Sequence, residues 1–162
     1  MSLGAEIDWL MGDGEVLQEE VNVEDELRVK LRKVPDRVQA EARSSCFIIR
    51  QAFILKPNDD TDTRVREEFP YDPIKWAPVG EAKYTVTMKY RPLKQESETE
   101  ISPEMYKSYM DTVAFSKQEK VRYKWQGWDI DEFNDGGVVA EYEKGWKDEC
   151  PRIPECFEVI KE

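Results

Sequence analysis

The sequence predicts a mostly β fold, a sandwich or a barrel, carried by eight short strand candidates and one well-marked helix. Three observations lead there. Charged and aliphatic residues alternate with the two-residue strand period in several runs. Clusters of Pro, Gly, Asn and Asp break the chain between these runs. Charges also recur on one face of at least six of the candidate strands. An ordinary half-buried sheet turns such a face outward. If instead it lines a closed barrel, the interior is polar and the aliphatic faces pack against helices and loops.

Residues 1–22 read as an N-terminal extension, with Met1-Ser2-Leu3 an appended start, and residues 23–162 as one domain. Glu6 and Asp8 stand two apart, but no basic residue follows on their face. The first strand, about 22–32, places Glu24, Glu26, Arg28, Lys30 and Arg32 on one face and Val23, Leu27, Val29 and Leu31 on the other. Pro35 ends it, and a short helix or loop follows over 36–43. The apolar run 44–55 reads as a strand buried on both faces. Pro57-Asn58-Asp59-Asp60 is a turn.

The run 63–69 carries Arg64 and Arg66 in phase, and three prolines make 70–80 a loop. The strand at 82–91 sets Tyr84, Val86, Met88 and Tyr90 against Lys83, Thr85, Thr87, Lys89 and Arg91. Lys94, Glu96, Glu98 and Glu100 then fall in phase. Ser102 caps a helix of about a dozen residues, with Pro103 at its first position and Glu104 in its first turn. Strands at 120–125, 128–133 and 137–143 complete the set, the last bringing Glu141 and Glu143 together.

Composition narrows the chemistry. The net charge of −11 argues against a nonspecific binder of duplex nucleic acid but leaves room for a local basic pocket. No apolar stretch has the length of a membrane span, and no basic-then-apolar leader opens the chain, so the cytoplasm is the expected location. Cys46, Cys150 and Cys156 lack metal-ligand spacing and fit a reducing compartment. Histidine is absent, which removes Ser-His and Cys-His catalysis and His-ligated zinc. Hydrolysis would have to come from carboxylates, Lys, Arg, Tyr and a hard metal ion.

The motifs taken in order resemble the CYTH superfamily, the triphosphate tunnel metalloenzymes. E-D-E-L-R at 24–28 resembles that family's N-terminal E-x-E-x-K signature, and R-Q-A-F-I-L at 50–55 its R-Q-x-Y-L strand. R-V-R at 64–66, Y-T-V-T-M-K at 84–89 and E-S-E-T-E-I at 96–101 follow. K-V-R-Y at 120–123, W-D-I-D-E-F at 128–133 and V-V-A-E-Y-E at 138–143 complete the series. The resemblance implies a closed eight-stranded antiparallel β-barrel tunnel with a few flanking helices. It implies a triphosphate bound there with Mg²⁺ or Mn²⁺.

By position, Glu24, Glu26, Asp131, Glu141 and Glu143 would be metal ligands, with Asp129 competing for the place of Asp131 through a register shift. Arg28, Arg64, Arg66, Lys89, Lys94, Lys120 and Arg122 would bind phosphate oxygens. Glu96 or Glu98 would add a ligand or orient the attacking water, with Arg28 beside the chemistry. Arg28 replaces the signature lysine, and Lys94 stands where many members have arginine. The tail at 154–159 departs from the family pattern.

A triphosphate carries about four negative charges, and a protein must replace its hydration with fixed donors. Arg offers a planar fork and Lys a point charge. A hard cation prefers carboxylate oxygens. The expected function is therefore metal-dependent hydrolysis of inorganic tripolyphosphate or a small organic triphosphate. The alternatives are an adenylyl cyclase of the same fold, or a noncatalytic polyphosphate- or nucleotide-binding module. The expected partner is a small-molecule triphosphate, not a membrane, with a homodimer allowed. The bland reading of all these charges is an outer sheet face laced with ion pairs. Against it, acidic and basic pairs segregate by strand.

Overall fold

The computed structural model describes residues 27–142 and 151–161. Glu24, Glu26 and Glu143 lie outside them, as does the extension 1–22. The described strands are β1 (Leu27–Leu31), β2 (Cys46–Leu55), β3 (Thr61–Asp72), β4 (Ala77–Pro78), β5 (Lys83–Tyr90), β6 (Gln95–Glu100), β7 (Phe115–Trp125), β8 (Trp128–Phe133) and β9 (Val138–Tyr142). Two helices accompany them, α1 (Asp36–Glu41) and α2 (Pro103–Thr112). The fold is mostly antiparallel sheet with few helices, as the alternation predicts.

The hydrogen-bonded order is β1-β9-β8-β7-β2-β3-β5-β6, with β4 on β3. Among the described residues no pairing joins β6 back to β1, so the sheet is open where a closed eight-stranded barrel is expected. One physical reason lies at β1. Its outer edge is taken by the tail, through a bridge between Leu31 and Val159 and hydrogen bonds from Arg32 N to Glu158 O and from Ile160 N to Lys30 O, both 2.9 Å.

The chain falls into two compact units. The second unit takes residues 27–50, Glu67–Lys83, 118–142 and 151–161 of the described chain. Its core joins Leu31 of β1, Val38 of α1, Tyr123 and Trp125 of β7, Trp128 and Ile130 of β8, Val138 and Ala140 of β9, and Phe157 of the tail. These are alternate positions, so the intervening residues share the opposite face. A tight turn sets the register: Gln126 and Gly127 have φ of 50° and 85°, the pair of positive values that a two-residue hairpin turn demands. Gly127 has a second reason to be glycine, since a Cβ there would meet Tyr142 Cε1 at 3.1 Å. The turn locks Trp125 opposite Trp128. A slip of one residue would bury the β8 aspartates among the aromatics.

The first unit takes Gln51–Arg66 and Tyr84–Lys117. Here α2 lays Tyr106, Tyr109 and Met110 against Ala52, Ile54, Val65, Tyr84 and Val86. The predicted cap is present: Ser102 Oγ accepts from Met105 N at 3.1 Å. The opposite faces of β3 and β5 carry polar residues, and that of β2 sets Gln51 beside Phe53.

Three elements differ from expectation. β3 runs on through Pro70, whose carbonyl accepts from Val79 N at 3.0 Å, and β4 pairs with its end, so 70–80 is a hairpin and not a plain loop. β7 begins at Phe115, five residues before the run 120–125. Lys94 is not in phase with Glu96. It closes a short 3₁₀ turn with φ of 52°, outside the strand.

Candidate active site

In the second unit the face opposite the core carries a row of charge across four strands. Arg28 of β1 stands opposite Glu141 of β9, Glu141 opposite Asp129 of β8, and Asp129 opposite Lys124 of β7. The next row places Lys30 opposite Val139, Val139 opposite Asp131, and Asp131 opposite Arg122. Arg122 grips Asp131 with both arms of its fork, Nε to Oδ1 at 2.8 Å and Nη2 to Oδ2 at 2.9 Å. Lys120 Nζ reaches Asp131 Oδ2 at 2.9 Å and lies over the Phe133 ring. Lys124 Nζ is 3.3 Å from Asp129.

The middle of this face is buried, while Arg28 and Lys30 at its β1 end are exposed. Lys120, Asp129 and Asp131 retain only 8%, 7% and 8% of their exposure. Burial pushes the Asp131 carboxyl up, but Lys120 and Arg122 outweigh it and hold it well below the usual carboxylate range. Burial alone would lower Arg122. The carboxylates of Asp131, Asp129 and Glu141 outweigh that and hold the guanidinium above its ordinary value.

In the first unit the polar face is built around arginines. Arg64, 8% exposed, stacks its guanidinium on the Phe53 ring at 4.9 Å, and its Nη2 lies 3.5 Å from Asp62 Oδ2. Arg66 donates from Nε and Nη2 to Gln51 Oε1 at 3.1 and 2.7 Å. Arg91 Nη2 donates to the same Asp62 Oδ2, and its Nη1 to Asn58 O at 3.0 Å. Burial pushes Arg64 down to about 9; Asp62 opposes the fall, and Arg66 and Arg91 add to it. Glu96 supports the charged form as well.

The predicted residues divide by placement. Arg64 and Arg66 come together in the first unit, with Lys89 half-buried on β5 opposite Glu96. Glu96 and Glu98 are exposed on β6, Glu98 opposite Thr87. Lys94 is exposed. Lys120, Arg122, Asp131 and Glu141 come together in the second unit, with Arg28 at the exposed end of the row. Sequence reasoning missed Asp62, Gln51 and Arg91 as members of the arginine cluster. Only alternation signals them: Asp62 is in phase with Arg64, while Arg91 leaves the strand and turns back.

Asp129 and Asp131 share one face, and the register makes Asp129, not Asp131, the neighbour of Glu141. Glu141 and Asp129 offer two hard oxygen donors side by side, which fits Mg²⁺ or Mn²⁺ with retained waters. Asp131 fits less well, since its oxygens are taken by Arg122 and Lys120. Among the described residues no group of three Asp, Glu, Cys or His forms a metal cage. Burial also pushes the Cys46 thiol up to about 12, which keeps it protonated and inert.

No protein-family model and no curated protein sequence matches the chain. Solved structures do. Two crystal structures of NE1496, one described as a hypothetical protein and one as an inorganic triphosphatase, align with TM-scores of 0.55 each. The identities are 20% and 19%, over 84% of this chain and 87% of theirs. The two proteins share a fold. The likeness is one of fold, and it agrees with the mostly antiparallel architecture that the sequence predicts. Among the described residues no helix is long and apolar enough to cross a membrane.

Proposed function

We propose that this chain hydrolyses a triphosphate, either inorganic tripolyphosphate or a small organic triphosphate, with Mg²⁺ or Mn²⁺. The observation that carries the reading is burial of charge. Arg64 and Lys120, each 8% exposed, sit on polar sheet faces amid further cations. Each is steadied by a carboxylate, Arg64 by Asp62 and Lys120 by Asp131, so their donors are fixed in place. A polyanion of about four charges needs such fixed donors in place of its hydration. The likeness to an inorganic triphosphatase supports the same reading.

In this proposal Arg64, Arg66 and Lys89 bind phosphate oxygens, and the sequence pattern gives Lys120 and Arg122 the same role. Arg28 and Lys94, both exposed, would meet the substrate's ends. Glu141 and Asp129 would hold the ion, with Glu24, Glu26 and Glu143 as further donors from the sequence pattern. A bound divalent ion supplies charge neutralisation and a lower pKa for water. Glu96 and Glu98 would orient or deprotonate that water, a role an exposed carboxylate can serve only once substrate covers it.

The test is phosphate release from tripolyphosphate, thiamine triphosphate and nucleoside triphosphates, each with Mg²⁺ and Mn²⁺. Metal-dependent release from at least one is expected. No release from any would remove the reading.

One observation favours a noncatalytic binding module: Asp131, an expected metal ligand, is held by Arg122 and Lys120. Tight tripolyphosphate binding without turnover would select that reading.

A further inference from the structure

Asp62 is the deepest charged side chain among the described residues, 2% exposed, and it sits at the centre of the arginine cluster. One of its oxygens, Oδ2, serves two cations. Arg91 donates to it, and Arg64 Nη2 lies 3.5 Å away. Its other oxygen, Oδ1, is buried and accepts no hydrogen bond from the described residues. An orphaned carboxylate oxygen is costly, and an ion pair kept only for stability would not need to bear it.

The surroundings are built with equal care. Asn58 closes a turn by accepting from Asp60 N at 2.8 Å and Thr61 N at 2.9 Å. That turn aims the Asn58 carbonyl at Arg91 Nη1. The backbone of Arg91 donates in return to Asp60 O at 2.8 Å. Arg91 is thus fixed at both ends of its length, and Asp62 is fixed by Arg91. Arg64 is then held between the Asp62 carboxylate and the face of Phe53. A guanidinium set in this way meets an anion without first giving up rotational freedom.

We propose that Asp62 is a positioning residue that fixes Arg64 for triphosphate binding, with Arg91 as its brace. The inference rests on the triphosphate reading for its consequence but not for its geometry. Asp62 touches no phosphate in this scheme; it acts through Arg64.

The experiment is a double-mutant cycle on inorganic tripolyphosphate with Mg²⁺. Asp62→Asn keeps the volume and loses the charge. It is expected to raise KM about tenfold and change kcat less than about threefold, the pattern of lost ground-state positioning. In an Arg64→Ala background the same substitution should change KM less than about twofold, because the residue it acts through is gone. Effects that multiply in the two backgrounds would overturn the proposal.

Should Asp62→Asn fail to fold, Arg91→Lys replaces it. Lysine keeps the charge but not the fork that spans Asp62 and Asn58. A rise in KM is again expected, vanishing without Arg64; a rise that persists without Arg64 overturns the proposal.

A second measurement needs no substrate. Slow rotation of the Arg64 guanidinium, read from its side-chain nitrogen resonances, should be present in the wild-type chain and lost in Asp62→Asn or Arg91→Lys. Equal rotation in wild type and variant overturns the positioning role, even if no triphosphate is turned over. Absence of turnover with the rotation result intact removes only the functional reading.

Discussion

The two units keep their charges in different balance. In the second, carboxylates and cations alternate along the row Arg28, Glu141, Asp129, Lys124, and Asp131 is gripped by Arg122 and Lys120. In the first, Arg64 and Arg91 share one oxygen of Asp62, and Arg66 turns to the neutral Gln51. The second unit is compensated within itself, so an incoming phosphate or metal must compete for partners already engaged. In the first, Arg64 and Arg91 crowd one carboxylate beside Arg66, and burial drives Arg64 down to about 9. Clustered cations of this kind suit an anion.

The largest test of that contrast is Asp131→Asn. Breaking a buried pair leaves Lys120 and Arg122 facing each other and should cost about 3–5 kcal/mol in urea unfolding at neutral pH. A loss below about 1 kcal/mol, the range of exposed pairs, would show the second unit is not compensated as described. The pH dependence has a definite sign. The Asp131 carboxyl is held low in the folded state, so its stabilisation is present above the ordinary value of about 3.9 and is lost as pH falls below it. The wild-type chain should therefore lose stability on acidification more steeply than Asp131→Asn.

Glu141→Gln comes next. It keeps the volume and one acceptor oxygen but removes the charge that a hard cation needs. Turnover should fall at least about a hundredfold, some 2.7 kcal/mol, with an unchanged thermal melt and partial recovery in excess Mn²⁺. Wild-type turnover would take Glu141 out of the site.

Arg64→Ala and Arg122→Ala sharpen the comparison as a pair. Each should weaken tripolyphosphate binding by about 1.5–3 kcal/mol in calorimetry. They should differ in stability. Arg122→Ala strands Asp131, whereas Arg64→Ala relieves repulsion from Arg66 and Arg91. Equal melting points in the two variants would erase the distinction. The smallest effect belongs to Lys107→Ala on α2, whose pair with Asp111 is exposed. Its loss should cost only about 0.3–0.5 kcal/mol and leave binding untouched.

Much of this was legible in alternation alone. The period of two assigns Arg122, Asp131 and Glu141 to faces, because the other face of those strands is aromatic and aliphatic. The Ser102 cap was legible because Ser-Pro-Glu has one local meaning. The extent of β7 is not: F-S-K-Q-E offers Phe115 as its one apolar position, too few for a period to show. Arg91 was not legible as a site residue because its partner Asp62 lies 29 residues away, across a turn. Lys94 was misplaced for a related reason. Its phase with Glu96 was real in the sequence, but the turn after Tyr90 resets the period before β6 begins.

The described tryptophans are unevenly shared. Trp125 and Trp128 lie in the core of the second unit, where Trp128 meets Phe157 edge-on at 5.1 Å and Trp125 Nε1 donates to Glu41 at 2.9 Å. Trp76, at 80% exposure, also belongs to that unit, while Gln51–Arg66 and Tyr84–Lys117 contain tyrosine but no tryptophan. Among the described residues, buried tryptophan is therefore confined to the aromatic cluster behind the compensated row. With Trp9 and Trp146 replaced by Phe, an emission-monitored melt would follow that aromatic cluster. Its coincidence with a melt followed by circular dichroism would then measure whether the two units unfold as one cooperative body or in sequence.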